Sequence, residues 1–447
     1  MTFLYNGEEI VVKHFPGESE YLVVSFMFGG RTDFAEKEFF LQEVQKKINI
    51  ELIGISTKVG KWYISHEMDD VIKIIKNFSN KKIICIGVSM GGFGVLKYGR
   101  AFGAFSVLSF APQWSINPDD LIDNPNEGER EVFSKNFSDN MSNMSIKNED
   151  ISERTCIVYD PANHYDKYHV KKIIENTDKI DTIKSFYTGH PVVESLSGSS
   201  NMKNILDCMS DYNFPHLREL ITQIRRKHPE NIKRKIDFCI DKKPIESILC
   251  LASKSMYNIK YKEKIFSDFR FLGRLLYRSS SSKIDLSKNI VEAILKNNFS
   301  TGIKLKSESK FDEYLFINSC GGILTYDPIE GKFQIEYNFI FPNKCPVFFS
   351  SQVLGGPIYF HLFGKKMFIY TNGNGIAHTD CYSENNYIRL SPSFFEKNGK
   401  INSFTLKTEH GYISCNPESG DVTNESPRDD LWENFSIFRN FLLFEIA

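Results

Sequence analysis

The chain contains no CxxC pair, and its nine cysteines are scattered and odd in number. That pattern excludes a disulfide framework and a zinc ribbon, and predicts reduced thiols in a cytoplasmic protein with no metal site. No apolar run approaches the roughly 20 residues that span a bilayer, so no transmembrane segment is expected. The opening Met1-Thr2-Phe3-Leu4-Tyr5-Asn6-Gly7-Glu8-Glu9 lacks a basic n-region and an apolar h-region, so no signal peptide is expected either. Positive charge is not in excess: 55 basic residues face 56 acidic ones, which excludes the electrostatic footprint of a nucleic-acid binder. GxGxxG and GxxxxGK[ST] are also missing, so a glycine-rich turn here does not read as a nucleotide-phosphate cradle. Aromatics are plentiful, with 38 Phe and 20 Tyr, which suits strands and broad contact surfaces. A chain of 447 residues exceeds what one core supports, so several domains are expected.

Residues 1–205 alternate strand-like and helix-like segments. Tyr21–Met27, Ile50–Ile55, Lys82–Gly87, Phe105–Phe110, Thr155–Tyr159 and Thr182–Tyr187 read as buried strands. Glu67–Phe78, Gly91–Phe102 and His169–Asn176 read as the helices between them. That alternation predicts an α/β domain with a parallel sheet covered on both faces. Residues 206–300 read as a helical connector, with amphipathic segments at 214–227, 245–255, 261–277 and 286–297. Its basic residues Arg225, Arg226, Lys227, Lys233, Arg234 and Lys235 read as a solvated face.

Residues 301–447 read as all-β and carry an internal repeat. Gly322-Ile-Leu-Thr-Tyr, Lys366-Met-Phe-Ile-Tyr and Gly411-Tyr-Ile-Ser-Cys each have a glycine nine residues after the start (Gly331, Gly375, Gly420). Each also has an apolar residue seven before it (Leu315, Tyr359, Phe404). Each unit reads as hairpins that cannot bury their own apolar face, so three must close on one another. Together with Trp432-Glu-Asn-Phe-Ser-Ile, the pattern resembles a β-trefoil, particularly its fascin and lectin-like branch.

Gly87-Val88-Ser89-Met90-Gly91-Gly92 lies between a strand and a helix, the context in which GxSxG becomes a nucleophile elbow. Ser89 is the candidate nucleophile. It needs a base, and His190, following the last strand of the alternating region, takes that place ahead of His66, His164 and His169. The acid is Asp160 or Asp166. Asp166 has another use as N-cap of a helix starting near Lys167, and Asp160, immediately before proline, has one as a turn initiator; Asp160, which ends the preceding strand, is preferred. The oxyanion donors are expected to be the N–H of Met90 and that of Met27 or Phe28, in a loop opened by Gly29 and Gly30. Arg31 reads as solvated, and Trp62, Tyr63 and Trp114 read as packing residues or as the lining of a pocket mouth.

The set Tyr21-Leu-Val-Val-Ser-Phe, Lys61-Trp-Tyr63, Gly87-Val-Ser-Met-Gly-Gly-Phe-Gly94, Tyr159-Asp-Pro…Asp166 and Gly189-His190 resembles α/β-hydrolase-fold proteins of bacterial surface-glycan loci. These include capsule O-acetyltransferases and accessory-secretion acetyltransferases. The resemblance implies transfer of an acetyl group from acetyl-CoA to a sugar hydroxyl through acetyl-Ser89, with no permanently bound cofactor and a glycan as partner. A carboxylesterase acting through the same residues, or a non-catalytic glycan-binding or scaffold protein, would share these motifs.

Overall fold

The computed structural model describes residues 1–29, 36–59, 62–138, 141, 143–239, 265, 268–280, 304–305, 313–318, 321–337, 345–350, 358–362, 365–371, 376–380, 388–396, 401–407, 412–415, 422–426, 435–439 and 442–443. The chain divides into two units, Met1–Arg234 and Lys235–Ala447.

In the first unit one sheet is formed by β1 (Thr2–Asn6), β2 (Ile10–Phe15), β3 (Tyr21–Phe26), β4 (Glu51–Thr57), β5 (Lys82–Val88), β6 (Ser106–Phe110), β7 (Thr155–Tyr159) and β8 (Asp181–Lys184). Their spatial order is β1-β2-β4-β3-β5-β6-β7-β8. From β4 to β8 all neighbours run parallel. The sheet is not wholly parallel as expected, since β1 and β2 join its edge antiparallel. Only Gly7, Glu8 and Glu9 link those two strands, which is too short for a crossover and long enough for a hairpin. The Glu67 carboxylate holds that turn by accepting from the backbone N–H groups of Glu8 and Ile10, both at 2.8 Å.

The helices of this unit are α1 (Gln42–Ile48), α2 (Met68–Phe78), α3 (Met90–Tyr98), α4 (Glu127–Asn136), α5 (His164–Glu175), α6 (Ser199–Asp211) and α7 (Phe214–Lys227); α8 (Pro229–Cys239) runs across the division between the units. Strand side chains alternate between the faces of the sheet. Leu22, Val24, Phe26 and Cys85 meet Val71 and Ile75 of α2, Phe93 of α3, and Val170 and Ile173 of α5. Val23, Ile84, Ile86 and Leu108 meet Ile205 and Leu206 of α6, with Leu217 and Ile221 of α7. The helix read as part of a connector therefore serves as cover for the sheet, because its i, i+4 apolar stripe matches an open face. Among the described residues, no helix is long and apolar enough to cross a membrane.

In the second unit α9 (Phe269–Ser280) falls within the expected helical stretch, while 245–255 and 286–297 lie outside the described residues. The strands that follow are β9 (Lys304–Leu305), β10 (Glu313–Asn318), β11 (Ile323–Asp327), β12 (Lys332–Glu336), β13 (Cys345–Pro346), β14 (Phe348–Ser350), β15 (Tyr359–Leu362), β16 (Lys365–Thr371), β17 (Ile376–Thr379), β18 (Arg389–Glu396), β19 (Ile401–Lys407), β20 (Tyr412–Cys415), β21 (Val422–Ser426) and β22 (Phe435–Arg439). The repeat maps onto three antiparallel hairpins, β11–β12, β16–β17 and β20–β21. Each follows a strand carrying the offset residue: β10 with Leu315, β15 with Tyr359 and β19 with Phe404. Further antiparallel pairs link β22, β10, β14 and β15, and link β18, β19 and β22. Gly331 takes φ 66° at the turn of the first hairpin, a conformation that side chains resist. Gly375, Gly411, Gly420 and Trp432 lie outside the described residues. Phe316, Leu324, Tyr326, Phe333, Phe360 and Ile413 share one core.

Ile221 is fully buried against the sheet. Ile221→Ala is expected to lower the unfolding free energy of the first unit by about 2–4 kcal/mol, measured by denaturant titration. A change within the scatter of surface substitutions would mean that α7 does not cover this face.

Candidate active site

The site begins with a packing problem. For α3 to lie on β3, β5 and β6 directly after the turn, main chain must touch main chain. A Cβ on Gly87 would stand 2.1 Å from the Gly91 carbonyl oxygen, and one on Gly91 would stand 2.4 Å from that of Phe26. Only glycine fits at either position. Between them Ser89 takes φ 54° and ψ −120°, a strained conformation for a residue with a side chain. Its N–H donates to the Phe110 carbonyl at 2.9 Å, tying the turn to the end of β6. Met90, the first residue of α3, has no intrahelical acceptor for its N–H.

Three side chains from separate segments meet here. The Ser89 hydroxyl donates to His190 Nε2 at 2.9 Å, and His190 Nδ1–H donates to Asp166 Oδ1 at 2.7 Å. They follow β5, β8 and β7 respectively, in the chain order serine, acid, histidine. Asp166 is buried, while the His190 side chain keeps 39% of its exposure and can be reached from solvent. The other carboxylate oxygen, Asp166 Oδ2, is buried and unbonded among the described residues. His190 has a raised pKa. Burial pushes it down, but the hydrogen bond and charge of Asp166, with the charge of Glu129, push it up further.

Asp160, the preferred acid from sequence, is a different kind of residue. Its carboxylate accepts from the N–H of Ala162 at 2.9 Å and of Gly189 at 2.8 Å, so both oxygens are engaged with backbone. It braces the loop that carries His190, at the point where Gly189 takes φ 66°. Asp166 is also not an N-cap. α5 starts earlier, and Asn163 caps it by accepting from Tyr165 N–H and Asp166 N–H. That leaves the Asp166 side chain in the first helical turn, available to the imidazole.

Met27 N–H donates to the Ile55 carbonyl at 2.9 Å and so is committed to the sheet, which removes it as an oxyanion donor. A Cβ on Gly29 would stand 3.8 Å from Met90 Cβ, so this loop lies beside the first turn of α3. Gly30, Arg31 and Lys61 lie outside the described residues. Trp62 and Tyr63 are buried, and the Tyr63 hydroxyl donates to the Met27 carbonyl at 2.5 Å, bracing the loop from below. Arg225 and Arg234 are not a solvated face: Arg225 donates to the Phe186 carbonyl at 3.0 Å and Arg234 to that of Thr188, both in the His190 loop. Among the weaker histidines, His169 is buried between the Trp114 N–H and Glu129. His164 approaches Asn126. Sequence reading missed Gln113 altogether. Its carboxamide lies 3.4 Å from Ser89 Oγ, and a polar residue just past the strand that follows the elbow helix was the available signal.

A base must be neutral to take a proton, so a raised pKa places the acid limb of reactivity above pH of about 6.5, the ordinary imidazole value. Asp166→Asn removes the larger part of what raises it, leaving only the charge of Glu129. The limb is expected to move to lower pH while the plateau falls by about 10³–10⁴-fold, read from the pH dependence of fluorophosphonate inactivation. Asp160→Ala strands the Gly189 N–H at a cost of about 1–3 kcal/mol. It should lower Tm and the plateau without moving the limb, since it does not touch the imidazole.

No family model matches the chain, and no curated protein matches it. Among solved structures, the capsule O-acetyltransferase of Neisseria meningitidis serogroup A, in a mutant form complexed with CoA, is 14% identical. The alignment covers 48% of this chain and 93% of that one, with a TM-score of 0.33. An α/β hydrolase from the metagenome of lagoon sediments of Mar Chica, Morocco, is 12% identical over 48% of this chain and 100% of its own, with a TM-score of 0.31. Mouse α/β hydrolase domain-containing protein 10 is 12% identical over 47% and 97%, with a TM-score of 0.31.

Proposed function

We propose that the first unit is a serine enzyme of acyl transfer, with Ser89 as nucleophile, His190 as base and acid, and Asp166 as the group that orients and charges the imidazole. The observation that carries this reading is the unbroken hydrogen-bond chain Ser89 Oγ–His190 Nε2 and His190 Nδ1–Asp166 Oδ1, at 2.9 and 2.7 Å. In acylation Ser89 Oγ bonds to the acyl carbon and its proton passes to His190 Nε2. Collapse then breaks the bond to the leaving group, which departs with that proton. In the second half His190 takes the proton of the incoming hydroxyl, whose oxygen bonds to the acyl carbon as the bond to Oγ breaks and Ser89 is reprotonated. The oxyanion of each tetrahedral intermediate faces the N–H groups of Met90 and Phe28.

The acceptor we propose is a sugar hydroxyl of a bacterial surface glycan, with acetyl-CoA as donor substrate. Support for it comes from the motif resemblance to surface-glycan acetyltransferases and from the second unit. We infer that the second unit is a β-trefoil, supported by its threefold succession of strand, hairpin and strand; such domains often bind carbohydrate. With water as acceptor, the same residues make a carboxylesterase.

The test is incubation with labelled acetyl-CoA and capsular or lipopolysaccharide oligosaccharides, beside a short-chain nitrophenyl ester. Label on the sugar, lost in Ser89→Ala, is the expected outcome. Ester hydrolysis without transfer would replace the transferase reading by the esterase one. Inertness to both substrates, with no labelling of Ser89 by a fluorophosphonate, would leave a non-catalytic protein.

A further inference from the structure

We propose that Gln113 is a further catalytic residue, whose side-chain amide donates a hydrogen bond to Ser89 Oγ and so directs the serine proton onto His190. The inference rests on the acyl-transfer reading of Ser89. Ser89 Oγ has one proton, and the shorter contact, 2.9 Å to His190 Nε2, takes it. A hydrogen bond between Ser89 and Gln113 must then be donated by the amide. Both Gln113 Nε2 and Oε1 stand 3.4 Å from Oγ, so either orientation of the carboxamide brings an N–H to the same lone pair. A hydroxyl with a donor on its oxygen can no longer turn its own proton that way, and the remaining acceptor is the imidazole. The same N–H faces Oγ when it leaves the tetrahedral intermediate, where negative charge returns to it.

The rest of the loop is built to hold that amide still. Ala111 takes φ 45°, turning the chain just past β6, and its N–H donates to the Val158 carbonyl at 2.9 Å. On the other side of Gln113, the N–H of Trp114 donates to His169 Nδ1 at 3.2 Å. That fixes the tautomer of His169: its Nε2 carries the proton and donates to Glu129 Oε1 at 3.2 Å. The second oxygen of Glu129 accepts from Asn124 at 2.9 Å. The Trp114 indole N–H donates to the Ile146 carbonyl at 3.1 Å. Gln113 itself is buried. A long polar side chain held under the elbow from both flanks, with its amide against the reacting oxygen, is more than filler for a gap that Leu or Met would close equally well.

The experiment compares fluorophosphonate labelling rate, kcat and KM on a nitrophenyl ester, and Tm, for the parent, Gln113→Met and Gln113→Glu. Met keeps the volume and removes the donor, and Glu keeps the shape and offers an acceptor that competes with His190 for the serine proton. The expected result is labelling about 3–10-fold slower in Gln113→Met, the size of one net hydrogen bond, and slower still in Gln113→Glu. kcat should fall with KM unchanged and with Tm within about 3 °C of the parent. Parent-like labelling in Gln113→Met, or a Glu variant faster than the Met variant, overturns the role of Gln113 and leaves acyl transfer standing. A raised KM with parent labelling overturns it in favour of a substrate contact. A parent protein that is itself unlabelled overturns the acyl-transfer reading, and the role of Gln113 with it.

Discussion

The first unit depends on backbone lying on backbone where β5 hands over to α3. Gly87, Ser89 and Gly91 share a turn in which a Cβ on either glycine would overlap a carbonyl, so the helix can start within one residue of the strand. That contact sets the height of the first turn of α3 over β3 and β6. It also forces Ser89 into φ 54°, which lifts the hydroxyl off the sheet. Strain of this kind persists only where the surroundings over-determine it. Here they do: the Ser89 N–H is held by the Phe110 carbonyl, and Phe93, one turn on, is fully buried.

With the serine set, the remaining groups are carried to it on loops that are themselves tied down. The His190 loop is bonded by Asp160 at Gly189 and by Arg225, Asn231 and Arg234 at the carbonyls of Phe186 and Thr188. The β6 loop is held by His169 and Glu129. Carboxylates near the site thus have separate tasks. The Asp166 carboxylate faces the imidazole with one oxygen, and its other oxygen has no partner among the described residues, so its charge acts on His190. Asp160 spends both oxygens on backbone N–H groups, so its charge serves the loop. Glu129 has its pKa lowered: burial opposes ionisation, but its hydrogen bonds with His169 and Asn124 outweigh it.

The two units solve the same burial problem differently. The first places helices on both faces of its sheet, and its strands therefore read as unbroken apolar runs. The second repeats a strand and a hairpin three times and buries apolar residues drawn from all three repeats. In each case a local pattern is completed by partners distant in the chain.

Much of this was legible in the sequence. The strands from Tyr21 to Tyr159, the helices α2 and α3, the elbow and the three-part repeat all rest on short-range rules: apolar periodicity, a glycine where no side chain fits, and a fixed offset. Ser89 and His190 were legible because chain order and the adjacency of strand and turn are local features. The edge hairpin β1–β2 was not, since β1 is partly solvent-exposed and polar at its ends, with three of its five residues exposed, and so lacks the apolar run of a buried strand. The choice between Asp160 and Asp166 could not be read either, because both follow β7 within seven residues and only the path of α5 decides which carboxylate meets the imidazole. Nor could the commitment of Met27 N–H to Ile55, the tethering of the loop by Arg225 and Arg234, or the approach of Gln113 to Ser89. The sequence by itself determined which residue types were available and at which strand ends. The tertiary structure decided which of them touch, because hydrogen bonds join groups tens of residues apart, and no local periodicity records a distance of that kind.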